Sequence, residues 1–435
     1  MLKKTVRYFY LSLFLLGAIL ALTGNHAQAN GGEVIVLKVE GNIVPVVADY
    51  ISRGIQEAEE RGSAACVIEL NTPGGLLDTT EKIVQRIMNA DVPVVVYVSP
   101  HGAWAASAGT FITISAHVSG MSPATSIGAA HPVSVGEEMP EVQQKKATEY
   151  SVAWIQSIAE KRGRDPSLVE AAVRESKSFT ASQAVDNKLV DFMAEDIDDV
   201  IRQINGRQVT LSSGKQVIID TAGAAVRYSE MTGVEKFLHM LSHPNVAYIL
   251  LSIASIGLIT EVSNPGLIFP GVIGGISLLF AFYSLGVLNA YWAGILLILL
   301  AIGLFVAEIF VPAYGILTTG GIISLLIGSF TLFSGSDASM QVDPALILIT
   351  TVILAVFVAF LIWATVRGQR RKVETGKESM VGQQATVKTA LKPRGMVLVD
   401  GELWSAEIES GTAHPGEEVV ISKVDNLKLY VIKKN

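Results

Sequence analysis

The sequence predicts three consecutive parts: an α/β domain, an α-helical membrane region and a small all-β barrel. From residue 33 to about 206, short apolar runs alternate with amphipathic stretches, a pattern typical of a parallel sheet with helical crossovers. Residues 245–366 contain four acidic side chains and no Lys or Arg, which favours a bilayer. Residues 380–435 alternate apolar and polar positions between turn residues, as antiparallel strands do.

The first 29 residues have the features of a secretory signal. Two lysines and an arginine precede the apolar run 8–23, and Ala27-Gln28-Ala29 fits a small-x-small cleavage pattern. We therefore expect removal after Ala29. A retained membrane anchor is the alternative, because the run is long for a signal core.

Residues 30–206 form the predicted α/β domain. Val34–Val39 is its first strand, and the helix Pro45–Arg61 has proline in its first turn and Gly62 just after its end. The chain's one cysteine, Cys66, falls in the second strand. An intrachain disulfide and a thiolate metal cluster are therefore excluded, and we interpret Cys66 as a packing residue.

The stretch Ala103–Thr110 follows the apolar strand Val92–Val98 and places Ser107 among small residues. A serine hydroxyl attacks a carbonyl only where a sharp turn presents it, and small neighbours allow such a turn. The helix that begins there would direct the N–H of Ala108 at a developing oxyanion. The alternative interpretation is a tight packing turn.

A second turn, Asn71–Leu76, follows another apolar strand and contains Gly74 and Gly75. Glycines let backbone N–H groups approach a carbonyl oxygen without an intervening side chain. Both turns lie at the carboxyl ends of strands, where open α/β sheets carry their sites. The sequence therefore predicts an oxyanion hole formed by N–H groups of Gly74, Gly75 and Ala108.

These two turns, together with the later stretch Ser126–Ala130, resemble the ClpP-class serine proteases and most closely the long-form NfeD membrane proteases. The resemblance implies a ClpP/crotonase-like fold and a Ser-Lys dyad. The family's lysine precedes an Ala-aromatic-Ile-x-Ser-x-Ala segment, which stands here as Ala153–Ala159. Counting back in register gives Lys146, with Lys145 as the alternative.

A lysine works as a general base near neutral pH only after apolar burial lowers its pKa. We expect the helix that carries Lys146 to supply an apolar wall from four residues, Tyr150, Val152, Trp154 and Ile155. His131 is the competing base, since histidine needs no large pKa shift. It lies about where soluble ClpP-type peptidases carry their catalytic histidine.

Residues 207–244 are more polar, and we interpret them as a connector with a hairpin and an amphipathic helix on the membrane surface. Five spans are predicted near 245–262, 271–288, 291–311, 315–333 and 345–366. The basic linker 367–379 follows directly. Because positive charge stays on the cytoplasmic side, we expect a cytoplasmic carboxyl end and an extracytoplasmic protease domain in a multi-pass cell-membrane protein.

A repeat lies within the spans, because the pattern that begins at Glu261 recurs 47 residues later at Glu308. Intramembrane carboxylates are candidate functional groups. Alternatively, each one caps the helix that follows it.

The carboxyl-terminal residues 380–435 predict five short strands and an OB-like barrel. The segment Gly401–Ala406 resembles the Gly-x-x-Trp-x-Ala pattern of NfeD carboxyl-terminal domains. A net charge of −7 and few large aromatic residues in this part give no reason to expect nucleic-acid binding.

The resulting hypothesis is a membrane-bound serine endopeptidase with Ser107 as nucleophile and Lys146 as base, without metal or cofactor. By resemblance, its substrates are hydrophobic segments of membrane-associated proteins, its partners are stomatin- or flotillin-like proteins, and it forms a homo-oligomer. The alternatives are a catalytically silent scaffold for such partners and a transporter that uses Glu261 and Glu308.

Overall fold

The computed structural model describes residues 32–133, 140–264, 266–288, 290–311, 313–334, 341–369 and 377–434. The predicted signal, residues 1–29, lies outside the described residues, as does most of the basic linker. The chain divides into two compact units, of which the first runs to Val358 and the second from Ala359 to the carboxyl terminus.

The first part of the chain is built on a six-stranded parallel sheet, whose strands are, from one edge to the other, Val226–Tyr228, Val34–Glu40, Ala65–Asn71, Val94–Val98, Val118–Met121 and Phe192–Met193. A smaller sheet of Trp104–Ala105, Ser126–Gly128 and Ser178–Thr180 continues from its carboxyl edge through a bridge between Thr72 and Ala105. The elements in chain order are β1 Val34–Glu40, α1 Pro45–Arg61, β2 Ala65–Asn71, α2 Leu77–Met88, β3 Val94–Val98, β4 Trp104–Ala105, α3 Ala108–Ser115, β5 Val118–Met121, β6 Ser126–Gly128, α4 Glu141–Arg162, α5 Pro166–Arg174, β7 Ser178–Thr180, α6 Ala181–Asp186, β8 Phe192–Met193, α7 Ile197–Ile204, β9 Gln208–Thr210, β10 Gln216–Ile218, β11 Val226–Tyr228 and α8 Gly233–Leu241.

Both faces of the large sheet are covered, which explains why its strands are apolar throughout. In β1, Ile35 and Leu37 point into the core formed with α1 to α5, whereas Val34 and Val36 point into the core formed with α7 and the β9-β10 hairpin. The alternation follows from the two-residue period of a strand.

The segment 207–244, interpreted from the sequence as a connector, takes part in the sheet. Strand β11 pairs in parallel with β1 over Val34–Val36 and forms the edge of the sheet. Helix α8 follows, with a capping box in which Thr232 and Glu235 satisfy each other's backbone N–H groups.

Within the described residues, the membrane region has four helices that are long and apolar enough to cross a bilayer. These helices are α9 Pro244–Ser263, α10 Ile268–Val287, α11 Trp292–Phe310 and α13, which runs Pro344–Gln369. The fourth predicted span corresponds to the shorter apolar helix α12, Ile316–Thr331. Its 16 residues rise about 24 Å, less than the roughly 30 Å of hydrocarbon in a bilayer.

The repeated carboxylates have different surroundings. Glu308 is buried, and its two oxygens accept the N–H groups of Gly315 (2.8 Å) and Thr318 (2.9 Å) at the start of α12. Glu261 approaches Gly271 of α10, but its Oε2 is buried without a hydrogen-bond partner among the described residues. Glu308 therefore caps the next helix, and Glu261 does not do so in the same way.

The carboxyl-terminal unit contains a closed five-stranded barrel of order β12-β13-β14-β16-β15. A 3₁₀ turn, Lys377–Met380, precedes β12 Gln384–Val387, β13 Arg394–Val399, β14 Glu402–Ile408, β15 Glu418–Asp425 and β16 Lys428–Lys433. The alternating inward residues, such as Val397, Ala406 and Leu429, are fully buried. This closure is consistent with the predicted OB-like fold.

Candidate catalytic site

The structure places Ser107 at a sharp turn directly before α3. Its backbone has φ 48° and ψ −113°, a conformation that a residue with a side chain rarely adopts. The turn is fixed by backbone contacts, since the Ser107 N–H donates to the carbonyl of Ala129 at 2.9 Å and the carbonyl of Ser107 accepts from Thr110 at 3.0 Å. The serine is thus presented as a nucleophile elbow requires.

The glycine turn lies against this elbow because Thr72 pairs with both sides of it. The Thr72 N–H donates to the carbonyl of Trp104 at 2.9 Å, and the Ala106 N–H donates to the carbonyl of Thr72 at 3.1 Å. The Thr72 hydroxyl also accepts the N–H of Gly74 at 3.1 Å. The structure therefore brings the two sequence-predicted turns together.

Two of the three predicted oxyanion donors have no hydrogen-bond acceptor within the described residues: the N–H groups of Gly75 and Ala108. The Gly74 N–H is occupied by Thr72, so its role in this conformation is to shape the turn. Gly75 packs tightly against the loop that follows β1. A methyl group on Gly75 would lie 2.2 Å from the carbonyl oxygen of Ile43. This crowding explains why glycine is needed there.

The helix that carries the predicted base, α4, leaves Lys146 exposed. The expected burial of Lys146 was wrong: Val152 and Ile155 face the core on a different side of the helix, and Tyr150, on the same side as Lys146, is itself exposed. No hydrogen bond joins Lys146 to Ser107 in the part of the chain that the structure describes. Lys145, the alternative, is exposed as well.

Two contacts nevertheless align α4 with the serine and glycine turns. Tyr150, one helical turn after Lys146 on the same face, donates its hydroxyl to Glu81 of α2 at 2.7 Å. This hydrogen bond raises the pKa of Tyr150. Trp154 stacks on Phe111 of α3 with ring centroids 4.6 Å apart. The face that carries Lys146 is therefore turned toward the helix that begins at the oxyanion turn.

His131, the competing base, is partly exposed, and its Nδ1 lies 3.0 Å from the carbonyl of Val173. A carbonyl oxygen can only accept, so this hydrogen bond places a proton on Nδ1. His131 follows Ala129 and Ala130 in the chain. Their backbone N–H groups donate to the carbonyls of Lys177 and Ala172. His131 thus lies two residues after Ala129, whose carbonyl accepts the Ser107 N–H.

Other titratable groups of the domain are buried away from the two turns. Burial raises the pKa of the Cys66 thiol to about 12, which agrees with a packing role. Burial also lowers the pKa of His117 to about 3, and its Nδ1 accepts the N–H of Val94 at the amino edge of the sheet. Among the described residues, no cluster of His, Cys, Asp and Glu could hold a metal ion.

Sequence reasoning missed the residues that hold the two turns through their backbones, Ile43 and Ala129. Ile43 bridges to Gly75, and Ala129 accepts from Ser107. Ala129 has a positive φ of 47°, but an alanine side chain gives no sequence signal for this backbone role. The pair Phe111 and Trp154 was visible only as apolar residues on two separate helices.

Three family models match the chain in succession. Residues 33–207 match the NfeD1b N-terminal domain, and residues 245–364 match the NfeD integral membrane domain. Residues 377–433 match the NfeD-like C-terminal, partner-binding domain. The order of the models is that of the three parts predicted from the sequence.

Known proteins are similar to the chain, one of them along most of its length. The chain is 36% identical over 416 residues to "Membrane-bound protease PH1510" of Pyrococcus horikoshii, covering 92% of this chain and 93% of that protein. A solved structure of the 1510-N membrane-bound stomatin-specific protease, a lysine-to-alanine mutant in complex with a substrate peptide, is 32% identical. It covers 48% of this chain and 98% of that one, with a TM-score of 0.46.

ClpP1 from Listeria monocytogenes is 20% identical, covering 38% of this chain and 92% of that one, with a TM-score of 0.32. The expected succession is confirmed: an α/β domain with a parallel sheet, apolar membrane helices and a five-stranded barrel. The protein is a multi-pass membrane protein and belongs to the long-form NfeD family.

Proposed function

We propose that the protein is a membrane-bound serine endopeptidase. The elbow supports this proposal most strongly, because Ser107 is held at a positive φ and the N–H groups of Gly75 and Ala108 have no acceptor among the residues that the structure describes. A backbone strained in this way persists only where the surrounding structure enforces it, and such sites cluster at catalytic centres. The membership of a family that includes a membrane-bound protease supports the same function.

In the proposed reaction, the Lys146 amine removes the proton from the Ser107 hydroxyl as the oxygen attacks the scissile carbonyl carbon. The N–H groups of Gly75 and Ala108 stabilise the resulting oxyanion, and Gly74 maintains the turn. The protonated amine then gives its proton to the leaving amine, and the acyl-enzyme forms. Water, deprotonated by the same lysine, releases the acyl group and regenerates the serine.

The proposed substrates are hydrophobic segments of stomatin- or flotillin-like membrane proteins. The related protease is described as stomatin-specific, and the carboxyl-terminal family model is described as partner-binding. We assign recognition of such a partner to the barrel and cleavage to the α/β domain. The proposed homo-oligomer remains a prediction.

The proposed arrangement keeps residues 1–29 as a cleaved signal, the α/β domain extracytoplasmic and the barrel cytoplasmic. This topology needs an odd number of crossings between residue 244 and the basic linker. It therefore requires that α12 cross the bilayer despite its length of 16 residues. Labelling of cysteines introduced before α9 and after α13 in intact cells tests this arrangement, and labelling of both from one side contradicts it.

A fluorophosphonate probe tests the enzymatic proposal on the full chain in detergent or liposomes. We expect one modified residue, Ser107, and loss of both labelling and peptide cleavage in Ser107→Ala. A matched control, Ser115→Ala, changes a serine at the far end of the same helix and keeps both. Failure to label folded wild-type protein at high probe concentration contradicts the proposal.

The exposed position of Lys146 favours a second candidate function, a catalytically silent scaffold that uses the protease fold to bind peptides. This candidate predicts tight binding of partner peptides without labelling of Ser107. Binding that is equal in wild type and Ser107→Ala, together with no turnover, would support it.

A further inference from the structure

Helix α8 lies at the carboxyl edge of the large sheet. Gly41 directly follows β1, and a methyl group on it would lie 3.9 Å from the imidazole of His239. The backbone of Asn42 forms a hydrogen bond with the same imidazole. Because all six strands are parallel, their carboxyl ends share one edge. The helix therefore borders the edge that carries the catalytic turns.

The other side of α8 contacts the membrane helices. Phe237 meets Phe280 of α10 in an edge-to-face contact with centroids 5.5 Å apart. The hydroxyl of Ser284 donates to the carbonyl of Leu241. Val287, the last residue of α10, packs against the core of the α/β domain. Helix α8 thus lies between the sheet edge and the bundle, and Val287 is a direct contact of the bundle with the α/β domain.

The loop that α8 contacts also holds the oxyanion turn. The Ile43 N–H donates to the carbonyl of Gly74 at 2.8 Å, and the Leu76 N–H donates to the carbonyl of Ile43 at 2.9 Å. Arg53 of α1 fixes α8 in place through two hydrogen bonds to Glu235, of 3.0 and 2.8 Å. The position of the catalytic turns is therefore tied to the bundle by consecutive contacts.

Aromatic residues mark the bilayer surface at the same end of the bundle. Trp292 is 75% exposed at the start of α11, and Tyr283 is exposed near the end of α10. Trp and Tyr concentrate at the interface between hydrocarbon and water. Val234 and Met240 of α8 are also exposed, as expected for a helix that lies in this interface.

From these contacts we infer that the carboxyl edge of the sheet, which carries the catalytic turns, faces the bilayer at a distance of about one helix diameter. The site then binds the juxtamembrane segment of a membrane-anchored protein. This inference rests on the proposed peptidase function. A helix with its side chains is roughly 10–12 Å thick, and an extended chain advances about 3.3 Å per residue. The scissile bond therefore needs about three or four residues between it and the bilayer.

The apolar side chains beside the site fit such a segment. Leu77 is 40% exposed at the start of α2, and Trp104 is 50% exposed in β4. Leu77 directly follows the glycine turn, and Trp104 lies three residues before Ser107. An extended apolar segment leaving the membrane would contact both before it reaches the serine.

Energy transfer to a lipid dye tests the orientation without any need for activity. A donor is attached at Trp104→Cys on the carboxyl edge or at Asp91→Cys on the amino edge, in the full chain in liposomes. Cys66 is fully buried and leaves the introduced thiol as the labelled one. A strand of this length separates the edges by about 20 Å, so we expect clearly stronger transfer at position 104. Equal or stronger transfer at position 91 overturns the inference.

Cleavage of substrates with a single membrane span tests the inferred distance between the active site and the bilayer. The same cleavable sequence is placed at increasing distance from the span by a Gly-Ser linker and mixed with the full chain in liposomes. We expect no cleavage below about three residues. The rate should be highest near about five residues and roughly 20-fold lower near about 40, as effective concentration falls with linker length.

The variant Phe280→Ala removes the ring contact between α10 and α8, and Phe282→Ala is its matched control, since Phe282 is exposed on the same helix. We expect Phe280→Ala to reduce the ratio of cleavage rates between short-linker and long-linker substrates at least fivefold. Phe282→Ala should leave this ratio unchanged. Both variants should cleave a detached peptide normally. A flat distance profile with normal cleavage of the detached peptide overturns this inference alone, whereas absent cleavage and absent Ser107 labelling overturn the proposed function.

Discussion

The serine half and the lysine half of the candidate site are built differently. Ser107 sits on a backbone held by Ala129, between residues of the buried core. Lys146 stands exposed on the second turn of α4, and the residues 134–139 just before that helix lie outside the described part of the chain. The core of the sheet thus determines the positions of the nucleophile and the oxyanion turn. The position of the base depends instead on how the exposed face of α4 is placed.

The largest effect is expected from the lysine half. Lys146→Ala should lower kcat by ~10³- to 10⁴-fold, because the serine then has no general base. Lys145→Ala, its neighbour on the same helical turn, should stay within about threefold of wild type. Peptide cleavage by the full chain measures both. A large loss of kcat in Lys145→Ala would identify Lys145 as the general base. Normal kcat in both variants would show that neither lysine is the base.

A smaller effect is expected from the oxyanion turn. In Gly75→Ala the new methyl group would lie 2.2 Å from the Ile43 carbonyl oxygen, so the turn must shift and one oxyanion donor is lost. We expect kcat to fall by ~10²- to 10³-fold. Gly275→Ala serves as the control, because a methyl group there meets no atom within 4 Å. An active Gly75→Ala protein would contradict the assigned donor.

His131 belongs to the segment that holds the serine. Its ring is bound to the carbonyl of Val173, and it lies two residues after Ala129, which accepts the Ser107 N–H, so His131→Ala should lower kcat about tenfold through a less well-held turn. His131→Gln, which can still donate to Val173, should recover part of this loss. A loss as large as that of Ser107→Ala would make His131 the base.

The smallest effect concerns the contact between the two halves. The Phe111–Trp154 stack should contribute a coupling of about 1 kcal/mol to the free energy of unfolding, measured by a double-mutant cycle with alanine at both positions. Activity of Trp154→Ala should fall less than about fivefold. Trp154→Phe keeps an aromatic ring and should keep most of the coupling. Additive single effects would show that the stack does not join the halves.

Much of the fold was predictable because it depends on local patterns. Helix Pro45–Arg61 has the bounds expected from its proline and its following glycine, and the two turns lie where small residues interrupt apolar runs. The lysine environment was not predictable, because Val152 and Ile155 are apolar but lie on another side of the helix. Ile43 and Ala129 act through backbone atoms, which any residue type supplies.

The membrane region shows the same limit. Hydropathy located the five apolar helices that the structure describes between Pro244 and Gln369, but the repeat that relates Glu261 to Glu308 did not reveal that their hydrogen bonding differs. Strand β11 escaped notice because three residues, Val-Arg-Tyr, carry no periodic signal of their own.

This last strand has a practical consequence for work with pieces of the chain. A fragment that stops near residue 206 lacks Val226–Tyr228 and leaves the outer edge of β1 without its partner. Bare strand edges of apolar composition readily pair with other molecules and promote aggregation. A soluble fragment that extends through Ser229 keeps its own edge covered and is the better choice for crystallisation and for assays in solution.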